Sequence, residues 1–202
     1  MFEAICNMTP GCQPEVLEHT IQLAVEIARE GREGRKIGAI FVLCDEEAVL
    51  NQSRSLILDP LEGHPPELKK ISDFNMRETA KELAQLDGAF IVSADGTILS
   101  AARYLNADSA GINLPLGLGA RHMAAAAITR ATRSVAVVAS KSSIVRVFNQ
   151  GQMVAEIIPE IWMLGRESIQ LDRPYVEQKT AGLHIVACER PDKTKATTAN
   201  DC

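Results

Sequence analysis

The chain has 202 residues, is 46% hydrophobic and 23% charged, and carries a formal net charge of −5. That is enough chain for one domain with a sizeable core, and the composition is ordinary for a water-soluble protein. The acidic balance argues against a broad basic face for duplex nucleic acid, so no nucleic-acid partner is expected, although a local phosphate-binding patch stays compatible with it.

The cysteines are Cys6, Cys12, Cys44, Cys188 and Cys202. Their number is odd and no pair has CxxC spacing. This argues against a structural zinc site or a disulfide framework and for reduced thiols in a cytoplasmic protein. The apolar run Ile37 to Cys44 falls far short of the roughly 20 residues a membrane helix needs. Glu3 near the start, with no basic region, argues against a secretory signal. No membrane partner is expected.

Residues 1–13 carry no clear pattern. Pro14 suits a first helical turn, and Leu17, Ile21, Ala24 and Ala28 recur at helical spacing up to Gly31. Ile37 to Leu43 reads as a central strand covered on both faces. Leu56-Ile57-Leu58 fits a short strand, and Pro60, Gly63, Pro65 and Pro66 mark a loop holding a solvated His64. Asn75 and Glu78 fit a capping box for a helix running through Ala80, Leu83, Ala84 and Leu86.

That helix delivers the chain into Asp87-Gly88-Ala89. Phe90-Ile91-Val92 and Thr97 to Ala102 form two strands around an Asp95-Gly96 turn. A loop rich in Gly, Asn and Pro covers Asn106 to Gly119. A small-residue helix follows over Arg121 to Thr132, with Ala124–Ala127 and Ala131 allowing close packing on a sheet. Val135 to Ala139 is a buried strand, and Ile144–Phe148 with Met153–Ile157 form a hairpin. His184 to Ala187 fits one more strand, and Trp162 fits core burial or an interface. The expected architecture is a single α/β domain over 14–157, a mixed central β-sheet flanked by helices, followed by an extension at 158–190 packing on it. The polar stretch 191–202 reads as a disordered tail.

Three clusters carry candidate chemistry. Asp87 with Gly88 fits a helix-to-strand turn, or a carboxylate that holds a divalent cation or orients a hydroxyl beside a backbone a ligand can approach. Gly117-Leu118-Gly119-Ala120-Arg121-His122 fits an anion site at a helix N-terminus, or a glycine-rich loop whose Arg and His merely hydrate the helix start. Ser140-Lys141-Ser142-Ser143, after a buried strand, fits triphosphate recognition or a polar turn. Arg146 is a further nearby cation and a candidate nucleotide contact. The chain has no Walker loop, GxGxxG after a strand, GxSxG or HExxH.

The Asp87-Gly88-Ala89 element, then Gly119-Ala120-Arg121-His122 and a strand ending in Ser140, resembles the diadenylate cyclase domain family, with its DGA and RHR motifs. The resemblance covers about residues 14–157. It implies that two ATP condense to cyclic di-AMP and two pyrophosphates with Mg²⁺ or Mn²⁺, in a homo-oligomer whose active sites meet face to face. It assigns Asp87 to the 3′-hydroxyl and metal, Arg121 and His122 to phosphate or metal, and Gly88, Ala89, Gly119, Ala120 and Ser140 to the nucleotide. Leu99 and Leu105 fit an adenine wall or ordinary core packing. The third RHR position is Met123, Ala120 stands where many members have Thr, and no Glu-Glu pair follows Ser140. Those departures motivate an alternative, a nucleotide or cyclic-dinucleotide sensor that has lost turnover. The expected organisation is a compact cyclase without membrane spans or a helix-hairpin-helix region.

Overall fold

Leu17, Ile21, Ala24 and Ala28 are all fully buried along helix α1 (Pro14–Glu30), which begins on Pro14 and ends where Gly31 turns to φ 60°. The computed structural model describes residues 5–6, 9, 12–161, 175–180 and 183–188. The chain divides into two units, Met1–Trp162 and Met163–Cys202.

In the first unit a seven-stranded sheet has the order β2-β4-β3-β1-β5-β6-β7. Its centre is β1 (Ala39–Leu43), parallel to β3 (Ala89–Val92) and antiparallel to β5 (Val135–Ala139). Every residue of these strands is buried, as continuous apolar runs require when both sheet faces are covered. Helix α4 (Ala120–Ala131) packs on the face bearing Ile40, Val42, Ile91, Ala136 and Val138. Alternation sends Phe41 and Phe90 to the other face, where their rings stack at 4.8 Å. Helix α1 lies against β5, β1 and β6 there. The alanines of α4 let its backbone sit close to the sheet, and Ala125 to Ile128 are buried.

The outer strands are β2 (Ser53–Ser55), β4 (Ile98–Leu105), β6 (Val145–Asn149) and β7 (Gln152–Ile157), all antiparallel to their neighbours. The strand expected at Leu56–Leu58 lies at Ser53–Ser55 instead. Leu56 still donates to the Ala102 carbonyl at 3.0 Å, but Leu58 is 92% exposed, because no sheet face covers it. Helix α2 (Glu46–Asn51) precedes β2.

Helix α3 (Phe74–Leu83) is capped by Asp73, not by Asn75: the Asp73 carboxylate accepts from the Met76 N–H at 2.9 Å. Glu78, expected to reach back to the cap, instead meets Lys81 at 2.5 Å. Lys81 is buried among Glu26, Glu30 and Glu78, joining α3 to α1. Arg77 pairs with Glu26 across the same seam.

The second unit contains an antiparallel pair, β8 (Tyr175–Thr180) and β9 (Leu183–Cys188), and β9 includes the expected strand at His184–Ala187. Trp162 and 191–202 lie outside the described residues, as do most residues of 158–190 whose packing on the domain was expected. Among the described residues no helix is long and apolar enough to cross a membrane.

Candidate active site

The site begins where α3 ends. Ala84 closes the helix, and Asp87 emerges with its side chain 89% exposed. Gly88 has φ +109°, and a Cβ there would lie 2.6 Å from the carbonyl carbon of Ala102 and 2.7 Å from the Arg103 nitrogen. The close approach of the β4 backbone thus leaves no room for a side chain, and the same glycine borders the adjoining cleft. Opposite it the β3–β4 register shifts, and Ala102 adopts φ 52°. The extra residue lies in β4, so the bend falls on that strand beside Gly88. Ala89 is buried in the core and lines the adjoining cleft with its neighbours.

The second contributor is the N-terminus of α4. Gly119 is its N-cap, no side chain caps the helix, and a Cβ at Gly119 would meet nothing within 4 Å. First-turn donors and the positive end of the helix dipole thus face open space. Arg121 leaves this turn and donates from Nη2 to Oδ1 of Asp87 at 3.0 Å, joining residues 34 apart in sequence. Gly38, just before β1, packs close to β5: a Cβ there would sit 3.0 Å from the Ala139 carbonyl oxygen, with Cδ of Arg121 at 3.6 Å in ordinary contact.

Arg121 is the wall common to three cavities. The largest, about 430 Å³, is lined by Asp87, Gly88, Ala89, Leu105, Ala120 and Arg121, with Ile40, Leu56, Arg103, Tyr104 and Ala124 completing it. A second, about 210 Å³, lies at the α4 N-terminus between Gly119, Arg121, His122, Ser140 and Lys141. The third adjoins Asp87 and the turn after α1. Leu105 lines the main cleft, whereas Leu99 is half-buried and does not. Ser140 shares a hydrogen bond of 2.9 Å with the Ser142 hydroxyl inside a turn closed by Ser143 N–H to the Ser140 carbonyl.

His122 lines the second cavity beside Arg121 but makes its side-chain contacts in the core. It is buried, its ring tilts against Phe148 at 6.1 Å, and Nε2 lies 3.4 Å from Nη1 of Arg146. Burial pushes its pKa down, with the positive charges of Arg146 and then Arg121 adding to this, against an opposing pull from the Gly119 carbonyl. A neutral imidazole results. Its buried Nδ1 makes no hydrogen bond among the described residues. Arg146 is held in turn by Glu156 at 2.8 Å across the β6–β7 pair, and lines none of the three cavities. The structure thus brings Asp87 and Arg121 together, while none of these three cavities is lined by both Asp87 and His122.

Several cleft residues escaped the sequence reading. Arg103 shares a β4 face with Leu105, as period-two alternation allows, and donates from Nε to Ser53 Oγ at 2.8 Å. Tyr104 is half exposed with the Arg54 guanidinium 4.9 Å from its ring. Leu56 enters from beyond β2 and has no local signature.

Residues 26–153 match the family described as DisA bacterial checkpoint controller, nucleotide-binding. The chain belongs to that family. It is 47% identical over 148 residues to a protein named diadenylate cyclase from Methanocaldococcus jannaschii, covering 73% of this chain and 47% of that one. It is 41% identical over 150 residues to a diadenylate cyclase from Haloferax volcanii, covering 74% and 55%. The chain therefore spans about half the length of these curated relatives. Two crystal structures share the fold. DacA from Staphylococcus aureus, as a double mutant, is 20% identical with a TM-score of 0.51, covering 77% of this chain and 96% of that one. A hypothetical membrane spanning protein from Bacillus cereus is 19% identical with a TM-score of 0.53, covering 69% and 62%.

Within this member of the DisA nucleotide-binding family, Met123 is half-buried two residues beyond Arg121, so that position brings no charge to the α4 N-terminus. Among the described residues no three His, Cys, Asp or Glu side chains gather as a metal cage. Asp87 is the single carboxylate lining the main cleft. One exposed carboxylate fits a hard cation that takes its other oxygens from substrate phosphates and water, as Mg²⁺ commonly does.

Proposed function

We propose that the chain is a diadenylate cyclase that condenses two ATP into cyclic di-AMP and two pyrophosphates. The observation that carries this reading is the meeting of Asp87 and Arg121 at 3.0 Å on the rim of the apolar cleft. Phosphoryl transfer of this kind demands positioning and charge neutralisation more than a covalent nucleophile. Leu56, Ala89, Tyr104, Leu105 and Ala124 offer an apolar wall for adenine and ribose. Arg121 and the open first turn of α4 bind the α-phosphate and neutralise the charge it develops.

Asp87, unencumbered except for Arg121, orients the 3′-hydroxyl and accepts its proton as the oxygen attacks. A Mg²⁺ or Mn²⁺ ion held by Asp87 and the substrate phosphates would supply Lewis-acid stabilisation of the phosphate charge. His122 is neutral and braced by the Arg146–Glu156 pair, so in this reading it sets the pitch of the α4 N-terminus from behind. Each cleft has a single Asp87–Arg121 pair, and a cyclic product needs two reacting centres. The active form is therefore a homo-oligomer in which the clefts of two copies face each other.

The test is product formation. Purified protein with ATP and Mn²⁺ should yield cyclic di-AMP by mass spectrometry, and Asp87→Asn should not. A folded wild-type protein that fails across several metals contradicts the reading. Met123 and the single cleft carboxylate favour one other reading, a nucleotide or cyclic-dinucleotide sensor. It predicts saturable binding of ATP or cyclic di-AMP with no product.

A further inference from the structure

The chain leaves α1 through a tight turn that presents positive charge beside the cleft. Gly31 has φ +60°, and a Cβ there would lie 2.2 Å from the Arg35 carbonyl oxygen. Arg32 and Arg35 exchange both backbone hydrogen bonds, at 2.9 and 2.8 Å, around Glu33 at φ 49° and Gly34 at φ 73°. Two consecutive positive φ values define a type I′ turn, a geometry that fixes the direction of the side chains it bears. Arg32, Arg35 and Lys36 lie on it, and together with Arg121 and Lys141 they line the third cavity, of about 240 Å³. Glu33 and Asp87 are its acidic members.

These cations differ in what already occupies them. Arg32 is paired with Glu82. Lys36 donates from Nζ to the carbonyls of Ala28 and Arg29, at 3.2 and 3.1 Å, closing the end of α1. Arg121 holds Asp87. The side chains of Arg35 and Lys141 are exposed and have no hydrogen-bond or ion-pair partner among the described residues. Lys141 lines both this cavity and the one at the α4 N-terminus. A path of positive charge therefore runs from the α-phosphate position at Arg121 past Lys141 to Arg35.

We propose that this basin receives the diphosphate half of the nucleotide, the β- and γ-phosphates that leave as pyrophosphate, with Arg35 and Lys141 as its binding residues. The proposal rests on the cyclase reading and extends it. As the bond from the 3′-oxygen to the α-phosphorus forms, the bond from that phosphorus to its bridging oxygen breaks. The electron pair departs on the diphosphate, whose growing charge Arg35 and Lys141 neutralise. The backbone of the turn comes preformed, so binding has only the side chains of Arg35 and Lys141 to order. It also supplies, from a different element, positive charge of the kind that Met123 lacks.

Direct binding by titration calorimetry tests this without turnover, using pyrophosphate, ATP and AMP as probes. Arg35→Ala should weaken pyrophosphate and ATP by about tenfold, the value of one charge-assisted hydrogen bond, and leave AMP within about twofold. Arg35→Lys should restore most of the loss. Arg133→Ala, which removes an exposed charge outside the basin, should change nothing, and thermal melting should be unaltered in every variant. Equal pyrophosphate binding by wild type and Arg35→Ala overturns the proposal. So does an equal loss for AMP, or no pyrophosphate binding at millimolar concentration. An inactive protein that still discriminates these probes keeps the basin and removes the cyclase reading, whereas an active one without discrimination does the reverse.

Discussion

Replacing Gly88 with alanine separates two explanations of the Asp-Gly-Ala element. The added Cβ would fall 2.6, 2.7 and 2.8 Å from three backbone atoms of Ala102 and Arg103, none of which can swing aside as a side-chain tip would. Backbone at φ +109° adds its own strain for an L-residue. Left-handed strain of about 1–2 kcal/mol and overpacking of about 1–3 kcal/mol together suggest a loss of about 3 kcal/mol. For a chain of this size that lowers Tm by about 6–12 °C. Urea and thermal unfolding followed by circular dichroism would measure it. If Gly88 instead serves only ligand approach, Gly88→Ala unfolds like the wild type and loses nucleotide affinity alone. That outcome would refute the close approach of β4 as the reason for the glycine.

Further outcomes follow from the same geometry. Asp87→Asn should reduce cyclic di-AMP formation about 100-fold or more, as loss of a general base does, while changing stability by only about 0.5 kcal/mol because its ion pair is exposed. Asp73→Ala removes the cap on the Met76 N–H and should cost about 1 kcal/mol, read as a shift in urea midpoint. The depressed pKa of His122 has a definite pH signature. Below about pH 6.5 the unfolded chain takes up a proton that the folded one resists, so this contribution is complete above that pH and is lost on acidification toward the folded pKa. Urea midpoints at pH 7.5 and 5.5 should therefore differ less in His122→Gln than in the wild type.

The elements that were legible are those whose causes are local. Pro14 and the spacing of Leu17, Ile21, Ala24 and Ala28 specify α1 without help from the rest of the chain, and the continuous apolar run before Cys44 specifies a central strand. Asn75 misled because two good caps lie two residues apart. The choice of Asp73 follows from where the chain is anchored beforehand, with Ile71 N–H bonded to the Gly96 carbonyl at 2.8 Å. That contact is tertiary and leaves no local trace. The bulge at Ala102 was equally hidden, since alanine gives no sign of a positive φ.

The candidate site divides in the same way. Asp87 and Arg121 could be singled out by type and setting, and they meet. The burial of His122 depends on Arg146 and Phe148, which reach it from β6. Nothing in the sequence around His122 announces that it faces inward. Tyr104 and Leu56 enter the cleft only because β2 pairs with β4 at the sheet edge. Arg35 and Lys141 come from segments more than a hundred residues apart, and only the folded sheet places both on one basin.

The central claim concerns the chemistry of the Asp87–Arg121 cleft, and one measurement addresses it most directly. Purified protein is incubated with ATP and Mn²⁺, and products are resolved by mass spectrometry beside Asp87→Asn checked for an unchanged melting profile. The account predicts cyclic di-AMP and pyrophosphate in a 1:2 ratio from the wild type and a near-complete loss in the variant. Equal product from both proteins, or none from a folded, nucleotide-binding wild type, would contradict it.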